Sequence, residues 1–184
     1  MTHQEAHFRN ALKEAGMKSN SVRVNHHKGT CHANGIDYPL IWPKSFVAKC
    51  IELHKDKRDF KFAFMGNIAA TGDIGRDRKW VYEYDNREYS AIVPTTNGRR
   101  IVKGSFDKKY FTLLGNTSYA LCPKGEVPWT YRFLEAAFMK CIPVLNKGQS
   151  DTNANIIDFC FHGNIDSKID VEENFRKVVQ KHTL

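Results

Sequence analysis

A doubly wound, Rossmann-like α/β domain with a mainly parallel sheet is the fold this sequence predicts. Three observations lead there. Short, continuous apolar runs near 60–65, 90–94, 119–122 and 141–145 suit strands buried on both faces. Segments with helical spacing alternate with those runs. Two runs end in glycine-bearing turns, Gly66-Asn67 and Pro123-Lys124-Gly125. Open parallel sheets bind ligands beyond such carboxyl ends.

Element by element, residues 4–16 read as a short amphipathic helix closed by Gly16. From Met17 to Pro43 no period is sustained and turn residues recur, so the stretch reads as loop with one short strand at most. Residues 1–45 are therefore expected to form an irregular segment ahead of a Rossmann-like domain over 46–184. Pro43 suits the opening of a helix that runs to about Lys55. Phe60 to Met65 is a strand, followed by the polar loop "NIAATGDIG" and a helix in "RDRKWVYEYDN". Ser90 to Pro94 is a strand, and Phe106 to Leu114 a helix stopped by Gly115-Asn116. Tyr119 to Cys122, Tyr131 to Lys140 and Cys141 to Leu145 read as strand, helix and strand. Asn155 to Phe161 is either a last strand or a short helix, and Val171 to His182 a closing helix.

The 184 residues suffice for one domain, and 41% hydrophobic with 26% charged content is globular rather than disordered. A net charge of +8 suits an anionic partner. No run approaches the roughly 20 apolar residues of a membrane span. The polar "MTHQEAHFRNALKEAG" is no secretory signal. Five cysteines at wide, irregular gaps form neither a disulfide framework nor a CxxC metal site. A reducing, cytoplasmic setting is the expectation.

Chemistry concentrates in "YALCPKGEVPWTYRFLEAAFMKCIPVL". Thr130 is placed to cap the helix that follows, with free amides at Tyr131, Arg132 and Phe133 beside Lys124 and Gly125, an arrangement that suits an anion. Arg132 and Glu135 share a helix face. They read either as a surface ion pair or as a phosphate-binding arginine with a ribose-binding carboxylate.

These residues carry a resemblance. A strand ending in Cys-Pro-basic-Gly, a short loop, Thr130, Arg132-Phe133, Glu135-Ala136 and then Cys141-Ile142-Pro143-Val144 is similar to the donor-site signature of the exostosin family of glycosyltransferases. "FKFAFMGN" followed by Arg76 or Arg78 resembles that family's upstream strand, turn and arginine-led helix. The likeness covers about residues 58–148, and Lys140 stands where the family has a glycine. It implies the nucleotide-sugar-binding half of a GT-B enzyme of polysaccharide biosynthesis. Such an enzyme moves a sugar, usually from a UDP-sugar, to a glycan or other hydroxyl acceptor. It implies Glu135 on the ribose, with Arg132, Lys124, Gly125, Thr130 and Tyr131 near the diphosphate and Arg76 or Arg78 and Gly66-Asn67 flanking it. The chain holds no Asp-x-Asp motif, which agrees with a metal-independent donor site and no cofactor. A two-domain enzyme needs about twice this length. Hence the acceptor domain is missing, or the N-terminal segment or a second subunit supplies it, or the chain only binds a nucleotide sugar or glycan.

Other constellations weigh less. His26, His27, Cys31 and His32 match no common zinc spacing; one of these histidines could instead serve as a base or an acceptor contact. "GRDRKW" and "NGRRIVKG" are basic runs, but no nucleic-acid-binding signature accompanies them, so a basic nucleic-acid-binding domain is the third reading. Asp73 and Glu126 are loop acids, and Trp129 and Tyr131 could flank a base or sugar or simply pack.

Overall fold

A computed structural model describes residues 1–19, 21–68, 78–85, 87–96, 102–125, 130–146 and 170–184. Asn155 to Phe161, the "NIAATGDIG" loop after Ile68, Arg76, Asp73, Glu126, Trp129 and all of "NGRR" lie outside these residues. No helix among the described residues is long and apolar enough to cross a membrane.

The N-terminal segment is not irregular. Helix α1 (His3–Glu14) opens with a capping box. Glu5 N donates to Thr2 Oγ1 at 3.1 Å, and Thr2 N donates to Glu5 Oε2 at 2.6 Å. Strands β1 (Val22–Asn25), β2 (Thr30–Ala33) and β3 (Ile36–Pro39) then form an antiparallel meander in that order. Strands of four residues hold too few alternations to reveal a period, so the meander was missed. One signal was present: Asn34-Gly35. With φ of 54° and 78° they make a left-handed two-residue hairpin turn.

Helix α2 (Lys44–Ile51) follows Pro43 and stops four residues short of Lys55. The parallel sheet then assembles as expected. Strands β4 (Phe60–Gly66), β5 (Ser90–Pro94), β6 (Thr117–Leu121) and β7 (Ile142–Val144) lie in the order β5-β4-β6-β7, all parallel. Helices α3 (Lys108–Gly115), α4 (Arg132–Phe138) and α5 (Val171–His182) complete the described elements. Lys79–Tyr84 winds as a 3-10 helix rather than an α-helix. Its Val, Trp and Tyr residues are weak helix formers, and it is pinned by packing of Trp80, Val81 and Tyr84 on the sheet.

Both faces of the sheet are covered, because side chains alternate along each strand. Met65, Ala120 and Cys122 join one large cluster with Phe8, Trp42, Phe46, Phe111 and Phe138. Phe62, Phe64, Leu121, Ile142 and Val144 face the other way, against Val81 and its neighbours. The meander's Val22, Cys31 and Ala33 belong to the large cluster, so the N-terminal segment shares the core of the α/β unit.

Residues 40–42 are bound to the far end of the chain. Trp42 N donates to His182 O at 2.8 Å, and His182 Nδ1 donates to Leu40 O at 2.7 Å. His182 Nε2 is buried without a partner among the described residues. Burial holds this imidazole down to about 4, from an ordinary 6.5. The unfolded chain therefore takes up the proton first. His182's contribution is fully present above pH 6.5 and drains away as the pH falls toward 4, by on the order of 3 kcal/mol in all. His54, also lowered by burial, acts with the same sign. Denaturant titrations at pH 7, 6 and 5 should show stability falling at each step. His182→Gln, though less stable at pH 7, should show a shallower fall.

Lys140 ends helix α4 with φ of 53°, in the left-handed region that favours glycine. This is the position where the resembling family carries glycine. Its ammonium reaches Glu172 Oε1 at 2.6 Å, an exposed pair of modest worth. Lys140→Gly relieves the backbone and loses the pair, whereas Lys140→Ala loses the pair and keeps the strain. The glycine variant should be the more stable of the two by about 1 kcal/mol, read as the difference in unfolding free energy.

Candidate functional site

Strands β4 and β6 are neighbours and end on the same side of the sheet, which leaves main-chain carbonyls there in need of donors. Two arginines supply them. Arg132, the first residue of α4, donates from Nη2 to Met65 O at 2.9 Å. Its guanidinium lies 4.2 Å from the Phe64 ring centroid and 5.6 Å from that of Tyr110. Arg78 donates from Nη1 to Asn67 O at 2.8 Å and from Nε to Lys124 O at 3.0 Å, so it ties the turn after β4 to the turn after β6.

Gly66 is explained by this arrangement. A Cβ there would lie 2.8 Å from Arg132 Nη2 and 3.0 Å from Phe64 Cζ. Only a residue without a side chain leaves room for the guanidinium to lie across the strand end.

The two guanidiniums feel one another. Burial first, then the charge of Arg132, lowers the pKa of Arg78 from its ordinary value, and an arginine so placed still keeps its proton. Neither arginine has an ion pair among the described residues. Arg132 Nη1 is buried with no hydrogen-bond partner among them. The spot thus concentrates positive charge and retains an unused donor.

Glu135 sits on the same helix but is only 2% exposed, so it is not half of a surface bridge with Arg132. Its charge adds to burial in raising the pKa of the Cys50 and Cys122 thiols and of the Tyr131 phenol. The helix start also differs from expectation. Tyr131, with φ of −56° and ψ of −29°, occupies the cap position, and no side chain caps the helix. Thr130 contributes its carbonyl, which accepts from Phe133 N at 3.1 Å, so the Phe133 amide is already engaged. A tight turn therefore forms where a hydroxyl cap was predicted.

The structure brings together Gly66, Asn67, Arg78, Lys124 and Arg132 through the contacts above. Gly125, Thr130 and Tyr131 line an adjoining cleft of about 930 Å³ whose other wall is the meander. The Tyr131 hydroxyl is hydrogen-bonded to His26 Nδ1, joining the turn after β1 to the start of α4. Of the rest of the histidine-rich stretch, His27 and His32 line the same cleft, His32 facing Asp37, and Cys31 is buried. Sequence reasoning missed Phe64, the ring beneath Arg132, and Asp37. The alternation in "IDYP" after the Asn-Gly turn was the only pointer to the latter.

Compared with known proteins, the chain matches no protein-family model, and no curated protein is significantly similar to it.

Gly66→Ala should cost about 1–3 kcal/mol of stability by driving the Arg132 guanidinium off Met65 O. In an Arg132→Ala background the same substitution should cost less, because the flatter strand end leaves room for the methyl. Urea denaturation of the four proteins in this cycle measures the coupling.

Proposed function

We propose that this chain binds the diphosphate of a nucleotide sugar at the Arg78–Arg132 site and serves as the donor-binding part of a metal-independent glycosyltransferase. The observation that supports the reading best is the pair of guanidiniums at the carboxyl ends of β4 and β6, which among the described residues have no carboxylate partner and leave Arg132 Nη1 unused. An incoming diphosphate would relieve their mutual repulsion and accept from their free N–H groups. The family resemblance over residues 58–148 points the same way and supplies the donor class, a UDP-sugar.

In this reading the acceptor oxygen attacks the anomeric carbon and the bond from that carbon to the diphosphate oxygen breaks. The electron pair leaves with the nucleoside diphosphate, and the acceptor's proton passes to a base. Cationic side chains aimed at the departing diphosphate favour that charge separation, the work a metal does elsewhere. Lys124 would lie near the phosphates. Glu135 would accept from the ribose hydroxyls, which requires this 2% exposed carboxylate to become accessible. A binding-only module for a nucleotide sugar is the second reading, favoured by a chain whose only described parallel sheet is this one.

Calorimetric titration of uridine, UMP and UDP tests the site. UDP should bind more tightly than uridine to the wild type. Arg132→Ala should erase most of that difference. Glu135→Gln should weaken all three ligands by about 1.5–3 kcal/mol. Equal affinities across the three proteins would remove the case for a donor site. UDP binding without sugar transfer or donor hydrolysis would leave the binding-only module.

A further inference from the structure

The meander has two chemically distinct faces. Val22, Cys31 and Ala33 point into the core. Arg23, His32 and Asp37 lie directly opposite one another across β1, β2 and β3 and so share the other face. All three are exposed, and all three line the cleft that Gly125 and Tyr131 close from the far side.

This face is a row of hydrogen-bonding groups on a rigid support, about 4.8 Å apart from strand to strand. Asp37 Oδ1 lies 2.7 Å from His32 Nδ1. The carboxylate can only accept, so Nδ1 carries the hydrogen, and in the neutral ring Nε2 is left to accept from a ligand. Arg23 has no ion pair among the described residues. Asn25 and Thr30 add amide and hydroxyl groups to the same wall. A flat surface of alternating donors and acceptors, with a tyrosine on the opposite wall, matches the hydroxyl-rich faces of a sugar. A volume of about 930 Å³ suffices for one or two rings.

Charge narrows the class. Among the described residues of the cleft, Arg23 and Lys28 are cations and Asp37 is the one acid, so positive charge is in excess. A sugar carrying a carboxylate or phosphate is therefore preferred over a neutral one.

We propose that the outward face of the meander, with Arg23, His32 and Asp37 at its centre, binds an anionic sugar in the cleft beside the donor loop. That this ligand is the acceptor for transfer rests on the donor reading above; the binding itself does not. His32 Nε2 is placed to accept from a sugar hydroxyl, and Arg23 to hold the anionic group.

The test titrates the full chain with a glucuronate-containing disaccharide, glucose 6-phosphate and a neutral disaccharide, and in parallel with UDP. At least one anionic sugar should bind more tightly than the neutral one, and the two anionic arms tell carboxylate from phosphate. Arg23→Gln should weaken the preferred anionic sugar at least tenfold and leave UDP affinity unchanged. His32→Gln should weaken anionic and neutral sugars alike. Both positions are exposed, and unchanged melting of the variants checks that the fold is intact. The proposal is overturned if the wild type binds no sugar at millimolar concentration, or if neither substitution changes sugar binding. UDP binding without sugar binding would leave the donor site standing and remove this one. Sugar binding through Arg23 without UDP binding would do the reverse.

Discussion

A parallel sheet collects main-chain carbonyls at one end of its strands, and they must find donors that the sheet itself does not offer. Here guanidinium groups provide them. Arg132 takes Met65 O, and Arg78 takes Asn67 O and Lys124 O. At the opposite end of the sheet Arg58 bonds to Thr117 O and Met139 O. Each arginine has five N–H groups, and closing the strand ends uses only some of them. Part of the chain's basic excess is thus structural, yet the same side chains hold positive charge beside a cleft. The bonds that close the strand ends and the positive charge beside the cleft come from one set of residues.

That sharing constrains everything around it. Gly66 has no side chain because a guanidinium lies where one would go. Phe64 and Tyr110 offer their ring faces to the same cation. Helix α4 begins at Arg132, and the six residues after it are all buried, so the arginine's position is held by a helix locked into the core. A site built on a strand end and a core helix is held more firmly than one built on loops.

The alternation of apolar runs and helical segments made the parallel sheet legible, because strands buried on both faces are written as unbroken apolar sequence. Phe60–Gly66 and Thr117–Leu121 fall close to where the runs suggested. The meander was not legible for the opposite reason. One of its faces is polar, its strands have four residues each, and only Asn34-Gly35 betrayed a hairpin. At the site, Lys124 and Arg132 could be nominated from the glycine turn and the helix after it, and Arg78, with Arg76 as its alternative, only from the family resemblance. Their mutual geometry could not, since it depends on Arg78 spanning two loops far apart in sequence. The burial of Glu135 was hidden as well, because i, i+3 spacing is the same for a solvent-facing pair and for a carboxylate under a helix.

The pairing of Trp42 with His182 and Thr183 also bears on the order in which the protein can be made. A ribosome adds about 5–20 residues per second, so about 7–28 seconds separate the synthesis of these neighbours. During that interval the indole of Trp42, which is fully buried in the finished fold, lacks the helix that covers it. The first third of the chain can form its capped helix and its hairpins as they emerge, but it cannot complete its core. The nascent protein must therefore pass through a stage with apolar surface open to other chains, and its yield in the cell will depend on whatever shields that surface until the last turn of α5 is released.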